Sequence, residues 1–250
     1  MTFPADYPGS IVYPAHPSNY YLPENHGGVP NRPRALFLHT PEEPADDYES
    51  TPVYFSQPNR QASTHYYADS DGDWYQLVPE RCMAIANGLI GKPLPLWAEP
   101  DTSLNWQSLS VEIEGYAATI HQTCVRGGPQ WNAIVRWVED RTRIHNIPLD
   151  REHVMGHKEV ANNRSDPGQL DINAIVADAL ALRIPQEEDD MELLGQFAAT
   201  IPWQKSYKVI MGADGVIRKV AVKNAAEYEA LKAAGYPTKA LPAIGDIPDA

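Results

Sequence analysis

The spacing of apolar and polar residues divides the chain into short elements. "RALFLHT" (34–40) is an apolar run closed off by Pro33 and Pro41, which predicts a buried strand with His39 at its C-terminal end. "STHYYADSDGDWYQLV" (63–78) alternates aromatic and polar side chains around a Ser-Asp-Gly turn and predicts a hairpin. In "LSVEIEGYA" (109–117) the period of two puts Val111 and Ile113 on one face of a strand and Glu112 and Glu114 on the other. "PQWNAIVRWVEDRTRIHN" (129–146) carries Trp131, Ile134, Val135, Val138 and Ile144 near helical spacing, with Pro129 suitably placed in the first turn. "HVM" predicts a brief strand leading into His157, and "LDINAIVADALALRI" (170–184) an amphipathic helix. Strands alternating with helices imply an α/β fold, a mixed central β-sheet flanked by helices.

The pattern changes at both ends. Residues 1–33 are rich in Pro, Tyr and Asn and read as an irregular, partly extended arm of a first domain that runs to residue 184. "PQEEDD" (185–190) reads as an acidic linker. Beyond it, residues 191–250 read as a small C-terminal α+β module, with "YKVIMGADGVIRKVAV" as a hairpin and "NAAEYEALKAAGYP" as a short helix. Asn224 supplies that helix with an N-cap, and Gly235 and Pro237 end it.

Composition narrows the partners. The net charge of −13 argues against a nucleic-acid partner, because phosphate binding needs Lys and Arg to displace counterions. No run of about 18 apolar residues predicts a membrane span. The first residues lack the basic start and apolar core of a secretory signal. Cys82 and Cys124 are the only cysteines, too few for a disulfide framework, which implies a reducing site of synthesis.

Two segments mimic metal motifs. "DSDGD" with Glu80 resembles a calcium loop, but Trp74 stands at the sixth position, where the bend requires Gly, and a hairpin turn explains it better. His153 precedes His157 by four residues without forming HExxH. In "GHKEVANNRSDPG" (156–168), His157 and Asp166 close the two ends of one turn-rich loop. They would share a metal with His39 if the strands ending at His39 and His157 were neighbours, since catalytic zinc takes three protein ligands and keeps one position open.

Taken together, "LFLHT", "STHYYADSDGDWYQLV", "SLSVEIEG" and "GHKEVANNRSDPG" resemble, in order, the blocks of the zinc-dependent N-acetylmuramoyl-L-alanine amidases. These are the type 2 amidases, which share a fold with peptidoglycan recognition proteins. The resemblance spans roughly residues 34–182 and implies Zn²⁺ held by His39, His157 and Asp166. It also implies a water-activating Glu at Glu112, since Thr64 stands where other members carry a catalytic Tyr. Glu114, on the same strand face, remains an alternative. Arg164 stands where many members have an oxyanion-stabilising Lys, and "AIANGLIG" (84–91) lacks the His of a stretch that often lines the site.

The activity so implied is cleavage of the bond between N-acetylmuramic acid and L-alanine in bacterial peptidoglycan. Tyr66 and Trp106 are candidate walls for sugar or peptide. The absence of a signal segment, with the C-terminal module as a wall-binding or dimerisation element, points to a phage endolysin made in the host cytoplasm and released by a holin. A cytoplasmic muropeptide-recycling amidase and a non-catalytic peptidoglycan-binding protein are the alternatives.

Overall fold

The computed structural model of the protein describes residues 3–44, 50–88 and 91–183, and four strands further along the chain. The chain divides into two compact units, Met1–Arg183 and Ile184–Ala250.

The first unit is built on a six-stranded mixed sheet. Its strands are β1 (Ile11–Val12), β3 (Ala35–His39), β4 (Tyr66–Ala68), β5 (Trp74–Gln76), β7 (Ser108–Ile113) and β8 (Val154–Gly156), in the order β1-β5-β4-β7-β3-β8. A separate two-stranded ladder pairs β2 (Tyr20–Tyr21) with β6 (Met83–Ala84). β4, β7, β3 and β8 run parallel, while β5 returns antiparallel to β4 through the expected hairpin. At its turn the Asp69 carboxylate accepts from the Asp73 N–H at 2.8 Å, and Gly72 has φ +89°. That "DSDGD" segment is a turn whose first aspartate is occupied by its own backbone. The N-terminal segment is less irregular than its composition implies, because β1 pairs with β5 and forms the sheet edge.

Helices cover one face. α3 (Pro129–Ile144) and α4 (Ile172–Arg183) pack there with the short α2 (Ile120–Thr123). Leu36, Leu38, Val111 and Ile113 point into this layer and meet Ile134, Trp137, Val138 and Ile175. On α3 the buried stripe continues from Val138 to Arg141 and Thr142, so Ile144 lies off it and is 56% exposed. Trp137 takes the central place instead, stacked on Trp74 at 5.5 Å and edge-on to Tyr66. The other face carries Ala35, Phe37 and Met155 under Leu104 and Val160, with α1 (Ser50–Ser56) packing Phe55 against Tyr67 and Leu77.

A buried charge network ties α3 to the hairpin. The Arg141 guanidinium donates to the Glu80 carboxylate at 2.7 Å, and the Tyr66 hydroxyl donates to it at 2.6 Å. The His145 ring meets the second Glu80 oxygen at 2.7 Å. Cys82 and Cys124 are free and buried, and burial raises their thiols to about 11 and about 12, far from a reactive thiolate.

The second unit contains a four-stranded sheet in the order β11-β10-β9-β12, from β9 (Leu193–Gln196), β10 (Ser206–Met211), β11 (Ile217–Ala221) and β12 (Thr238–Lys239). β10 and β11 pair antiparallel from Tyr207↔Ala221 to Met211↔Ile217, the pairing expected of the tail hairpin. The acidic linker 185–190 and the helix expected over 224–235 lie outside the described residues. Among the described residues, no helix is long and apolar enough to cross a membrane.

Burial alone would raise the Glu80 carboxyl, but His145, Arg141 and Tyr66 outweigh it and hold it down to about 2, against an ordinary 4.5. Between these values the unfolded chain binds more protons, so this group's stabilisation is present above about pH 4.5 and lost as the pH falls toward 2. Urea denaturation across this range is expected to show that decline, and Glu80→Gln to reduce it. The same substitution should cost about 2–3 kcal/mol at neutral pH by leaving Arg141 under-paired. An unchanged pH slope would contradict this account.

Candidate active site at the carboxyl ends of the parallel strands

Strand parity and register assemble the site. β3 pairs with β7 so that His39 lies opposite Glu112, and with β8 so that Phe37 lies opposite Met155. Residues two apart share a face of a strand, so His39 and Glu112 stand on the face away from α3 and α4. His157 follows directly after β8 and joins them there. Because β7, β3 and β8 are parallel, all three residues reach the same edge, where open α/β sheets usually bind ligands.

The loop after β8 brings in the third candidate ligand. The Lys158 N–H donates to the Asp166 carbonyl at 2.9 Å, and the Gly168 N–H to the Ser165 carbonyl at 2.8 Å. The Lys158 ammonium also donates to the Gly168 carbonyl. Two glycines permit this packing. A Cβ on Gly156 would lie 2.5 Å from Pro167 Cδ, and one on Gly168 would lie 1.7 Å from the Ala117 carbonyl oxygen. Gly168 also has φ +60°, in the left-handed region that disfavours other residues.

His39, His157 and Asp166 are all buried, with one potential ligand atom of each lying within 4.8 Å of the others. Asp166 Oδ2 is 2.9 Å from His39 Nδ1 and 3.2 Å from His157 Nδ1. His157 Nε2 lies 2.8 Å from the Asn87 carbonyl oxygen. A carbonyl can only accept, so Nε2 carries the proton, and in the neutral ring Nδ1 presents a lone pair to the carboxylate. Two acceptors facing one another in that way offer a place to a cation. The donor set of two imidazoles and a carboxylate suits zinc.

Electrostatics agree with this geometry. Burial lowers the pKa of His39, opposed by its hydrogen bond to Asp166, so the ring is held toward the neutral form that can ligate. Burial works against the Asp166 carboxylate, yet its contacts with His157 and His39 hold it well below the usual range. Burial raises Glu112 well above the usual carboxylate range, helped by Asp166, Glu43 and Glu42 and opposed by Arg164. Its Oε2 is buried and makes no hydrogen bond among the described residues.

A cleft of about 520 Å³ opens onto these groups. His39, Glu112, His157, Arg164 and Asp166 all line it. Arg164 is exposed, with no hydrogen bond among the described residues, so its guanidinium is not committed to a loop carbonyl. Glu114 behaves otherwise. β7 ends at Ile113, and Glu114 accepts from the Ser70 N–H at 2.5 Å, fully buried and outside the cleft. The proposed aromatic walls are also elsewhere. Tyr66 is fully buried in the helix-facing core, and Trp106 is buried and stacked on His26. Tyr54, Thr51, Glu42 and Glu43 line the cleft instead, none of them singled out from the sequence. The nearness of "EE" at 42–43 to the end of the His39 strand was the available signal. His65 is not part of the site. Its ring nitrogens meet Ser110 Oγ and the Cys82 carbonyl, each at 3.1 Å, and burial lowers it to about 4.

A family model described as N-acetylmuramoyl-L-alanine amidase matches residues 29–169, more than half of the chain. The chain belongs to this amidase family. Its first unit has the fold of two solved structures. One, a selenomethionine derivative of AmpD, is 18% identical over 69% of this chain and 95% of its own, with a TM-score of 0.52. The other, a substitution mutant of PlyL, is 17% identical over 69% of this chain and 98% of its own, with a TM-score of 0.50. No curated protein matches the chain in sequence. The amidase domain thus combines the family's mixed sheet and flanking helices with a buried His-His-Asp cluster.

Gly168→Ala is expected to destabilise the amidase domain by about 2–4 kcal/mol, from the left-handed backbone and the clash with Ala117. Chemical denaturation checks this, and wild-type stability in the variant would contradict the packing described for the Asp166 loop.

Proposed function

We propose that the protein is a zinc-dependent peptidoglycan hydrolase that cleaves the amide bond between N-acetylmuramic acid and L-alanine, with His39, His157 and Asp166 as the metal ligands. The observation that carries this reading is the convergence of two imidazole Nδ1 atoms on one Asp166 oxygen, beside the Glu112 carboxyl in an open cleft. Bound zinc would supply Lewis acidity, lowering the pKa of water and polarising a carbonyl.

The chain's own groups account for the proton transfers. Glu112 takes a proton from the attacking water and returns it to the leaving L-alanine nitrogen. A carboxyl raised toward neutrality suits a group that must both accept and donate. Arg164 brings a permanent positive charge and fixed donors to the mouth of the cleft, where the scissile carbonyl develops negative charge. Glu114 is the weaker choice for the base, since its carboxylate is engaged away from the cleft.

We further propose that the protein serves as a phage endolysin, made in the host cytoplasm and reaching the wall after holin-type release. What supports this part is the second compact unit beyond the amidase domain, which offers a separate element for holding the wall.

The test measures new L-alanine amino termini released from purified sacculi and from soluble muropeptides. The wild-type enzyme is expected to release them from sacculi. Glu112→Gln is expected to lower kcat by about 10²–10⁴-fold, and Glu114→Gln to leave kcat largely intact while lowering stability. A reversed pattern would overturn the role of Glu112. Activity confined to soluble fragments would overturn the endolysin reading and favour a recycling amidase.

A further inference from the structure

Glu42 lines the cleft three residues after His39, in a backbone conformation that its side chain disfavours. Its φ is +62°, in the left-handed region that residues with a Cβ seldom enter unless they are Asn or Asp. Strain of this kind persists only where surrounding contacts hold it, and it collects at functional sites. Here the side chain supplies those contacts. The turn folds the carboxylate back on the chain, where Oε1 accepts from the Thr40 hydroxyl at 2.9 Å. The same oxygen accepts from the Ala117 N–H at 2.9 Å, although Ala117 lies 75 residues further on. Hydrogen bonds to an ionised acceptor are stronger than those between neutral groups.

Ala117 is where this clamp reaches the cluster. It is buried, and it follows the end of β7, the strand that carries Glu112, by four residues. Its N–H is held by Glu42, and its carbonyl lies against Gly168, where a Cβ would sit 1.7 Å from the oxygen. Gly168 is two residues beyond Asp166, and its own carbonyl accepts from the Lys158 ammonium. One carboxylate oxygen therefore joins the loop after β3 to the loop after β7. Through the Ala117 peptide it also reaches the loop after β8. These three parallel strands deliver His39, Glu112 and His157, and Asp166 lies in the last of the loops.

We infer that Glu42 is a positioning residue whose carboxylate clamps the β3 and β7 loops together, so that Ala117 forms a fixed seat for the Asp166 turn. The inference rests on the zinc reading above and goes beyond it, since Glu42 is not one of the candidate ligands. Glycine adopts a left-handed backbone without steric cost, so Glu42→Gly breaks the clamp while relieving the strain. Weaker metal binding without a matching loss of stability is then the mark of positioning.

The experiment is zinc competition against a chelator on the full chain, with wild type, Glu42→Gly and Glu42→Gln. It is joined by urea denaturation of each protein and by NMR hydrogen exchange of the Ala117 amide before zinc is added. Glu42→Gly is expected to weaken zinc binding about tenfold and to leave the denaturation midpoint close to that of the wild type. Glu42→Gln removes the charge but keeps a carbonyl acceptor at Oε1, and it is expected to retain most of the affinity. That variant separates the clamp from the loss of a negative charge near the metal. The Ala117 amide is expected to exchange slowly in the wild type and faster in Glu42→Gly. Wild-type zinc affinity in Glu42→Gly, or an equal loss in a folded Glu42→Gln, overturns the inference. So does a rapidly exchanging Ala117 amide in the wild type, a result that needs no variant to fold. A wild type that protects the Ala117 amide yet binds no zinc is a separate outcome, which overturns the zinc reading and this inference with it.

Discussion

The Asp166 carboxylate sits between two imidazole nitrogens, and one of those rings already spends its proton on a backbone carbonyl. Buried lone pairs facing one another are unfavourable unless a cation joins them. Much of the surrounding fold holds that arrangement in place. Three parallel strands in register deliver His39, Glu112 and His157 to one face, and a loop closed by Lys158 and pressed onto Ala117 returns Asp166 to them. The Asn87 carbonyl then secures the His157 ring from behind.

Two acidic centres in the same domain show how environment separates structure from chemistry. Glu80 is surrounded by Arg141, His145 and Tyr66, each offering it a proton or a charge, and it stays ionised far below neutrality. Glu112 is buried near Asp166, Glu43 and Glu42, with Arg164 the cation that opposes them. The first carboxylate is satisfied and rigid. The second keeps an unpartnered oxygen beside a cleft, the arrangement expected where a site trades stability for reactivity.

Much of this was legible in the sequence because local signals agreed. Prolines bracket the His39 strand, the hairpin turns at Ser-Asp-Gly, and Pro129 opens α3. The positions of His39, His157 and Asp166 became meaningful only through a resemblance to a family, since no spacing in a chain shows that two strands are neighbours. Other features required tertiary facts. Alternation could not separate Glu112 from Glu114, because it is the end of β7 at Ile113 that sends Glu114 to the Ser70 amide. Tyr66 and Trp106 looked like substrate walls because an aromatic residue looks the same whether it faces a cleft or a core. Ile144 fell out of the core because the α3 stripe turns to Arg141, a buried charge paired to Glu80 that no periodicity anticipates. The pairing of β1 with β5 was hidden in a Pro-rich segment whose composition reads as loop.

The central claim is that a metal ion completes the His39–His157–Asp166 cluster. Metal analysis after equilibrium dialysis against zinc, on wild type and Asp166→Ala side by side, tests it most directly. The account expects close to one zinc per chain in the wild type and loss of that zinc in the variant at the same free concentration. Equal zinc content in the two proteins, or none in the wild type, would contradict it.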